Sequence, residues 1–177
     1  MASLCDVSPP LALGALDGRY REAVGPLVEH LSEPALNRQR LHVEIEWLIH
    51  LTRHAVVPGA GTLSAQEQTQ LRGLIEDFDA DTIADLAAIE AVTVHDVKAI
   101  ELFLRRQLTD RLDGRDDLAE LVHFACTSED INNLSYGLMI KGAITQVWLP
   151  AAQQLIAQVS GMARELAGIP LLAHTHG

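Results

Sequence analysis

The feature that most constrains the fold is a set of aliphatic side chains that recur at helical spacing in the last third of the sequence. One run is formed by Leu155, Ile156, Val159, Met162 and Leu166, and an earlier run by Ile131, Leu134 and Leu138. This spacing places the side chains of each run on one face of a helix. Two or three helices cannot bury faces this extensive by themselves. We therefore expect partner subunits or a further part of the chain to cover them.

Composition and spacing together predict an all-α fold. Of the 177 residues, 48% are hydrophobic and only 4% are aromatic, which favours an aliphatic core built from helices. Ser64 and Glu67 form a capping-box pattern at the start of one helix. Pro150 either begins a new helix or kinks one long helix. Apolar spacing predicts further helices over residues 34–55, 82–89, 95–108, 118–124, 128–148 and 150–167.

A charged stretch, TDRLDGRDD at residues 109–117, divides the chain. It contains a glycine and has no periodic apolar face, as is common in segments that join domains. We expect an N-terminal helical domain at residues 1–116, beginning with an irregular arm over residues 1–17. Residues 117–177 are then expected to form the first helices of a larger helical bundle.

Charge and cysteine content narrow the classes of function. The net charge is −11 and the sequence has no run of lysine or arginine, which argues against binding to nucleic acid but not against a small anionic ligand. The two cysteines, Cys5 and Cys126, are too few for a disulfide framework and have no CxxC spacing. Without a signal-peptide pattern or a long apolar segment, we expect a cytoplasmic protein that does not enter membranes.

The segment HFACTSEDINN, residues 123–133, is the first candidate site. Thr127 followed by Asp130 is typical of a hydroxyl N-cap with an acid in the first helical turn, and such a pair is often only a cap. Free backbone N–H groups and the helix dipole also favour a carboxylate or phosphate beside Thr127 and Ser128. The two asparagines that follow favour an anion site, because amides inside a helix are costly when buried without partners.

The segment VTVHDVKAIE, residues 92–101, is the second candidate. His95 and Asp96 stand at a helix start, where a simple capping or packing role is as good an interpretation as a functional one. Lys98 and Glu101 have the spacing of a solvated ion pair.

The segment HTHG, residues 174–177, is the third candidate. A His-x-His pattern can bind a metal ion, but no carboxylate or cysteine lies at ligand spacing beside it. A histidine titrates near neutral pH, so proton transfer is the better interpretation.

Four motifs, LDGRY, HDVKAIE, HFACTSEDINN and IPLLAHTHG, occur in this order from about residue 16 onward. Their order and spacing resemble the adenylosuccinate lyase family of the fumarase/aspartase superfamily. The resemblance implies an enzyme that eliminates fumarate from adenylosuccinate, giving AMP, and from the succinocarboxamide ribotide of purine biosynthesis. It implies neither a metal ion nor an organic cofactor.

The resemblance also implies roles for individual residues. His176 would be the general acid that protonates the leaving amine. Substrate-binding residues are implied at Arg19, Tyr20, His95, Asp96, Thr127 and Ser128. The first two of these would bind the nucleotide phosphate, the middle two would contact the substrate, and the last two would hold the succinyl carboxylates.

The sequence departs from the family pattern at two positions and in length. Val94 replaces an asparagine, which removes a polar substrate contact, and His174 replaces an arginine, which removes a fixed cation. Family chains are more than twice as long and form homotetramers whose active sites draw on three subunits. Their catalytic base lies on a serine-containing loop that has no counterpart here, so we expect little or no turnover from this chain alone.

Two other interpretations remain open. The chain can be part of another superfamily lyase, such as argininosuccinate lyase or a fumarase, although LDGRY and HDVK favour the purine enzyme. It can also be a non-catalytic helical assembly or regulatory module, against which the presence of His176 and Ser128 argues mildly.

Overall fold

The computed structural model of the chain describes residues 14–112, 115–170 and 172. No β-strand occurs among these residues, and the predicted all-α fold is confirmed. The α-helices are α1 Val28–Leu31, α2 Glu33–Arg53, α3 Ala65–Glu76, α4 Ala80–Thr93, α5 Asp96–Arg111, α6 Ser128–Gly142 and α7 Leu149–Glu165. Short 3-10 segments lie at Gly25–Leu27 and Asp116–Leu121, and a π-helical segment lies at Ala143–Trp148. Within the described ranges, no helix combines the length and apolarity needed to cross a membrane.

Helix α2 lies at the centre of the molecule and confirms the helix predicted over residues 34–55. Ser32 caps it by accepting a hydrogen bond from the Ala35 N–H, and a proline in its first turn fits a position where no N–H is needed. Apolar residues occur on more than one face of α2 because it packs against α3, α5 and α6. The side chains that form the main core include Leu41, Ile45, Leu48, Leu71, Ile100, Leu104 and Leu108, which are at most 1% exposed.

The caps of α3 and α4 explain where these helices begin. The predicted capping box is confirmed, since the Ser64 N–H donates to Glu67 at 2.7 Å and the Glu67 N–H donates to Ser64 Oγ at 3.3 Å. Helix α4 is longer than the predicted 82–89. Asp79 accepts from the Thr82 N–H at 2.9 Å and starts the helix early, and α4 continues until Val94 adopts a left-handed φ of 53°.

The prediction of an α-helix over residues 118–124 is wrong. The chain instead forms a 3-10 segment at Asp116–Leu121, and Leu118, Leu121 and Val122 all lie in the main core. The segment ends where Val122 adopts an extended backbone, and His123 then turns left-handed with φ of 62°. These three apolar residues lie just beyond the boundary proposed at residue 116, and the division into domains stays a prediction.

Helices α6 and α7 form one uninterrupted helical run through Pro150. Gly142, Ala143, Trp148 and Leu149, at the ends of the π-helical segment, all keep right-handed helical φ and ψ angles. Proline cannot donate a hydrogen bond to the preceding turn and its ring crowds that turn. The π-helical segment directly before Pro150 provides the wider turn that accommodates it.

The apolar stripe of α7 is left uncovered by the described part of the chain. Leu155, Ile156, Val159 and Met162 are between 56% and 64% exposed, and no residue of α7 is buried. The observation agrees with the expectation that other protein surfaces cover this face.

Candidate functional site

The start of α6 carries the cap predicted from the sequence. The Thr127 N–H donates to the Asp130 carboxylate at 2.8 Å, and Thr127 Oγ1 accepts from the Glu129 N–H at 3.5 Å, which forms a capping box. Thr127 is exposed and Ser128 is half-buried. Within the described ranges the Ser128 side chain has no hydrogen-bond partner, so its hydroxyl is available to a ligand.

The two asparagines of this motif are bound within the chain. Asn132 Oδ1 accepts from Arg40 Nε at 2.9 Å, and Asn133 Nδ2 donates to the Glu129 carbonyl at 2.9 Å. Both amides therefore have a structural role, and the costly unpaired amide that suggested an anion site does not occur here. Binding of an anion at Thr127 and Ser128 rests instead on the helix dipole and the Ser128 hydroxyl, and stays a prediction.

The start of α5 carries His95 and Asp96 as predicted. His95 is the N-cap, and its Nδ1 accepts from the Lys98 N–H at 3.1 Å. A nitrogen that accepts this bond carries no proton, so in the capped state it does not donate to Asp96 Oδ1, which lies 3.8 Å away. The proton of the neutral ring is then on Nε2, and the half-exposed ring can donate to a substrate oxygen.

Arg40 of α2 joins the two predicted segments. Its Nη2 forms a 2.6 Å ion pair with Asp96 in the first turn of α5, and its Nε donates to Asn132 in the second turn of α6. Its Nη1 donates to Asn37 at 3.0 Å, so the guanidinium, which is 5% exposed, has an acceptor at each nitrogen. Burial tends to raise the pKa of Asp96, but the Val97 N–H and the Arg40 charge outweigh it and lower that pKa.

The interpretation of Lys98 and Glu101 as a solvated pair is wrong. Lys98 Nζ lies 2.8 Å from Glu101 Oε1, but the Glu101 side chain is only 8% exposed and also forms an ion pair with Arg105 at 3.1 Å. Two cations therefore neutralise one buried carboxylate inside α5, which is a structural role.

Other sequence-predicted residues are not brought to this centre. Arg19 and Tyr20 are exposed in the turns that precede α1, and no described contact joins them to α5 or α6. His174 and His176 lie outside the described residues. A phosphate-binding role for the first two and a catalytic role for His176 thus stay predictions.

A groove of about 830 Å³ runs between α2 and α6. Its walls are mainly apolar, with polar groups contributed by His42, Glu46, Trp47, His50, Asp130, Asn133 and Lys141. Thr127 and Ser128 do not line it. The proposed anion site is therefore the exposed start of α6 and not this groove.

Sequence analysis missed the two polar residues of α2 that position both motifs. Arg40 and Glu44 are buried and lie one turn apart on α2. Glu44 accepts from the main-chain N–H of His123 and pairs with its ring, at the first residue of the HFACTSEDINN motif. The sequence did contain a sign of their role, because both positions are flanked by apolar residues in the helical pattern. A charged side chain at such a position must be paired with another polar group. Their partners, more than 50 residues away in sequence, are visible only in the fold.

Comparison with known proteins agrees with these motifs. Residues 18–177 match the model of a family described as lyase. The chain is 42% identical over 166 residues to an adenylosuccinate lyase of Haemophilus influenzae, which covers 94% of this chain and 36% of that protein. It is 39% identical over 177 residues to an adenylosuccinate lyase of Escherichia coli K12, which covers 100% of this chain and 37% of that protein.

The third comparison, with an adenylosuccinate lyase of Legionella pneumophila strain Corby, gives 36% identity over 166 residues and covers 36% of that protein. The chain thus spans little more than a third of the length of these relatives, and it corresponds to their N-terminal part. The family match extends over nearly all of the chain, and the protein belongs to the lyase family.

Proposed function

We propose that this chain contributes to an adenylosuccinate lyase, which removes fumarate from adenylosuccinate by β-elimination and leaves AMP. The similarity to adenylosuccinate lyases supports this function. The same reaction on the succinocarboxamide ribotide would serve purine biosynthesis. A cytoplasmic homotetramer is part of the proposal, and the uncovered face of α7 supports an oligomer.

The reaction needs a base for a carbon-bound proton beside a carboxylate, donors for the resulting aci-carboxylate, and an acid for the leaving nitrogen. We assign the donors to the start of α6, where Thr127 and Ser128 would hold the succinyl carboxylates.

His95 would donate from Nε2 to the substrate, and Asp96 would keep the start of α5 in place through Arg40. His176 would be the acid, and Arg19 with Tyr20 would bind the phosphate.

The observation that carries the proposal is the convergence of two helix starts on Arg40. The first turn of α5 and the second turn of α6 contact the same guanidinium, although Asp96 and Asn132 are far apart in sequence. A helix N-terminus has a partial positive charge that suits a carboxylate, and the shared contact with Arg40 links the starts of these two helices. The free hydroxyl of Ser128 adds a donor at the same end of α6.

Binding and turnover by the purified 177-residue chain test the proposal. We expect saturable binding of AMP and fumarate in calorimetric titrations, with little release of fumarate from adenylosuccinate, because the chain spans little more than a third of its relatives. Substitution Ser128→Ala should weaken fumarate binding by about tenfold, the value of one hydrogen bond to a charged group. The matched control is Ser64→Ala, which removes a hydroxyl from the start of α3 and should leave binding unchanged.

Each alternative gives a different result. Binding of argininosuccinate in preference to AMP would assign the chain to another lyase of the superfamily. A chain that binds none of these compounds would be a helical assembly module. Rapid turnover by the isolated chain would show that no further residues are needed and would contradict the fragment interpretation.

A further inference from the structure

The four residues before the α6 cap, residues 123–126, have an unusual backbone. His123 and Ala125 both adopt left-handed conformations, with φ of 62° and 58°. Residues with a Cβ atom rarely adopt this conformation, because the side chain approaches the following carbonyl. A segment with two such residues keeps its shape only when contacts from outside the segment hold it.

Glu44 of α2 provides the first of these contacts. Its Oε2 accepts from the His123 main-chain N–H at 3.1 Å, and its Oε1 pairs with His123 Nδ1 at 2.5 Å. Glu44 has no exposed surface, so no water competes for either oxygen. Burial raises the pKa of Glu44, while the bonds to His123 act in the opposite direction.

Trp47 provides the second contact, one turn further along α2. Its indole Nε1 donates to the Phe124 carbonyl at 2.9 Å. Helix α2 therefore binds the N–H of residue 123 and the carbonyl of residue 124 at the same time. Within the segment, the Cys126 N–H donates to the His123 carbonyl at 3.2 Å. The position of His123 therefore also fixes that of Cys126, the residue before Thr127.

Cys126 is anchored as well. It packs against Val43, Val97 and Ile131, which belong to α2, α5 and α6. Burial and the neighbouring carboxylates of Glu44 and Asp130 raise the pKa of its thiol, so this side chain acts here as a small apolar group. The negative charge of Glu101 on α5 also raises the pKa of Glu44.

We propose that Glu44 is a positioning residue for the carboxylate-binding start of α6. By holding His123 at both its main chain and its ring, Glu44 keeps residues 123–126 in their left-handed shape and sets the direction of the Thr127 and Ser128 groups. The inference rests on the proposed function for its ligand, a dicarboxylate. It concerns a residue that does not itself touch the substrate.

The substitution Glu44→Gln tests this role with little change of shape. Glutamine has no charge and has an NH2 group in place of one carboxylate oxygen, so it loses the charge-assisted bonds and no longer has an acceptor facing both the His123 main-chain N–H and its ring. We expect the His123 imidazole ¹⁵N shifts to report a change of tautomer, and amide exchange of residues 123–128 to accelerate about tenfold. Fumarate affinity should fall by about the same factor.

The control is Glu46→Gln on the same helix, which removes an ion pair with Arg72 and leaves His123 untouched. It should change neither amide exchange at residues 123–128 nor fumarate affinity. If Glu44→Gln does not fold, Trp47→Phe removes the indole donor to Phe124, keeps an aromatic ring beside His50, and should shift both readouts in the same direction.

Two results would overturn the inference: unchanged exchange at residues 123–128 in Glu44→Gln, or accelerated exchange with unchanged fumarate affinity, which is what a merely structural residue gives. A wild-type chain that binds no fumarate would refute the proposed function instead. In that case the exchange measurement alone decides whether Glu44 holds the segment.

Discussion

The region around α2 and the region of α7 use the same aliphatic side chains in opposite ways. Leu41, Ile45 and Leu104 have no exposed surface, whereas Leu155 and Ile156 are 61% and 64% exposed. Around α2 the chain buries its own apolar residues and pairs its buried charges. Along α7 it presents an apolar face that the described residues do not cover. The difference shows that similar side chains can form either a self-contained core or a face that the described part of the chain leaves exposed.

The largest effect is expected from a core substitution in the first region. Leu104→Ala removes a fully buried side chain and leaves a cavity, so the free energy of unfolding should fall by about 2–5 kcal/mol. Leu155→Ala on α7 removes the same atoms from an exposed position and should change it by less than about 0.5 kcal/mol. Urea unfolding of both variants measures the contrast. At protein concentrations low enough to keep the chain monomeric, equal losses would mean that α7 is covered within one chain.

A smaller loss is expected when Arg40 is replaced. Arg40→Met leaves Asp96 and Asn132 without their partner, and because Asp96 is half-exposed it can recover water. Unfolding by urea should show a loss of about 1–3 kcal/mol. The control Arg38→Met breaks an ion pair with the exposed Glu29 and should lose no more than about 1 kcal/mol. A loss no greater than that of the control would contradict a joining role for Arg40.

For α7 the expected effect is on association and not on folding. Ile156→Glu places a charge on the apolar stripe and should weaken self-association about tenfold or more, with an unchanged unfolding midpoint at concentrations where the chain is monomeric. Light scattering across a concentration series measures it. Ala157→Glu adds the same charge at an exposed position on the side of the helix away from the stripe and serves as the control. If both variants associate equally, the stripe is not the interface.

The smallest effect concerns the acid side of the pH profile. The hydrogen bond from Arg72 and its charge lower the pKa of Glu46 below the ordinary 4.5, outweighing the effect of burial. An acid with a lowered pKa in the folded state contributes stability above its ordinary pKa and loses it as the pH falls through the folded value. Glu46→Gln should therefore flatten the decline of unfolding free energy below about pH 4.5, by less than about 1 kcal/mol because the pair is partly exposed. An unchanged slope would contradict this assignment.

Local patterns in the sequence predicted much of the fold and part of the candidate site. The capping boxes at Ser64 and Thr127 follow from side chains three residues apart, and the exposed stripe of α7 follows from helical spacing. These features depend on near neighbours only, so the sequence contains all the information they need.

Features that depend on distant partners could not be predicted in this way. Leu118 and Leu121 have α-helical spacing in the sequence, yet the chain forms a 3-10 segment at Asp116–Leu121 whose apolar side chains pack in a core made with distant helices. The roles of Arg40 and Glu44 depend on contacts with Asp96, Asn132 and His123, which only the fold brings close to α2. Propensity and spacing do not encode such long-range pairing.

The π-helical segment at Ala143–Trp148 determines how the two regions face each other. A π-type hydrogen bond spans one residue more than an α-type bond, so the segment changes the angular phase of every side chain that follows it. Helix α6 therefore buries Ile131 and Met139, while the apolar stripe of α7, on the same continuous helical run, stays exposed. Removing a single residue from the segment would rotate that stripe by about 100° relative to α2, which would misalign any assembly built on it without disturbing the N-terminal core.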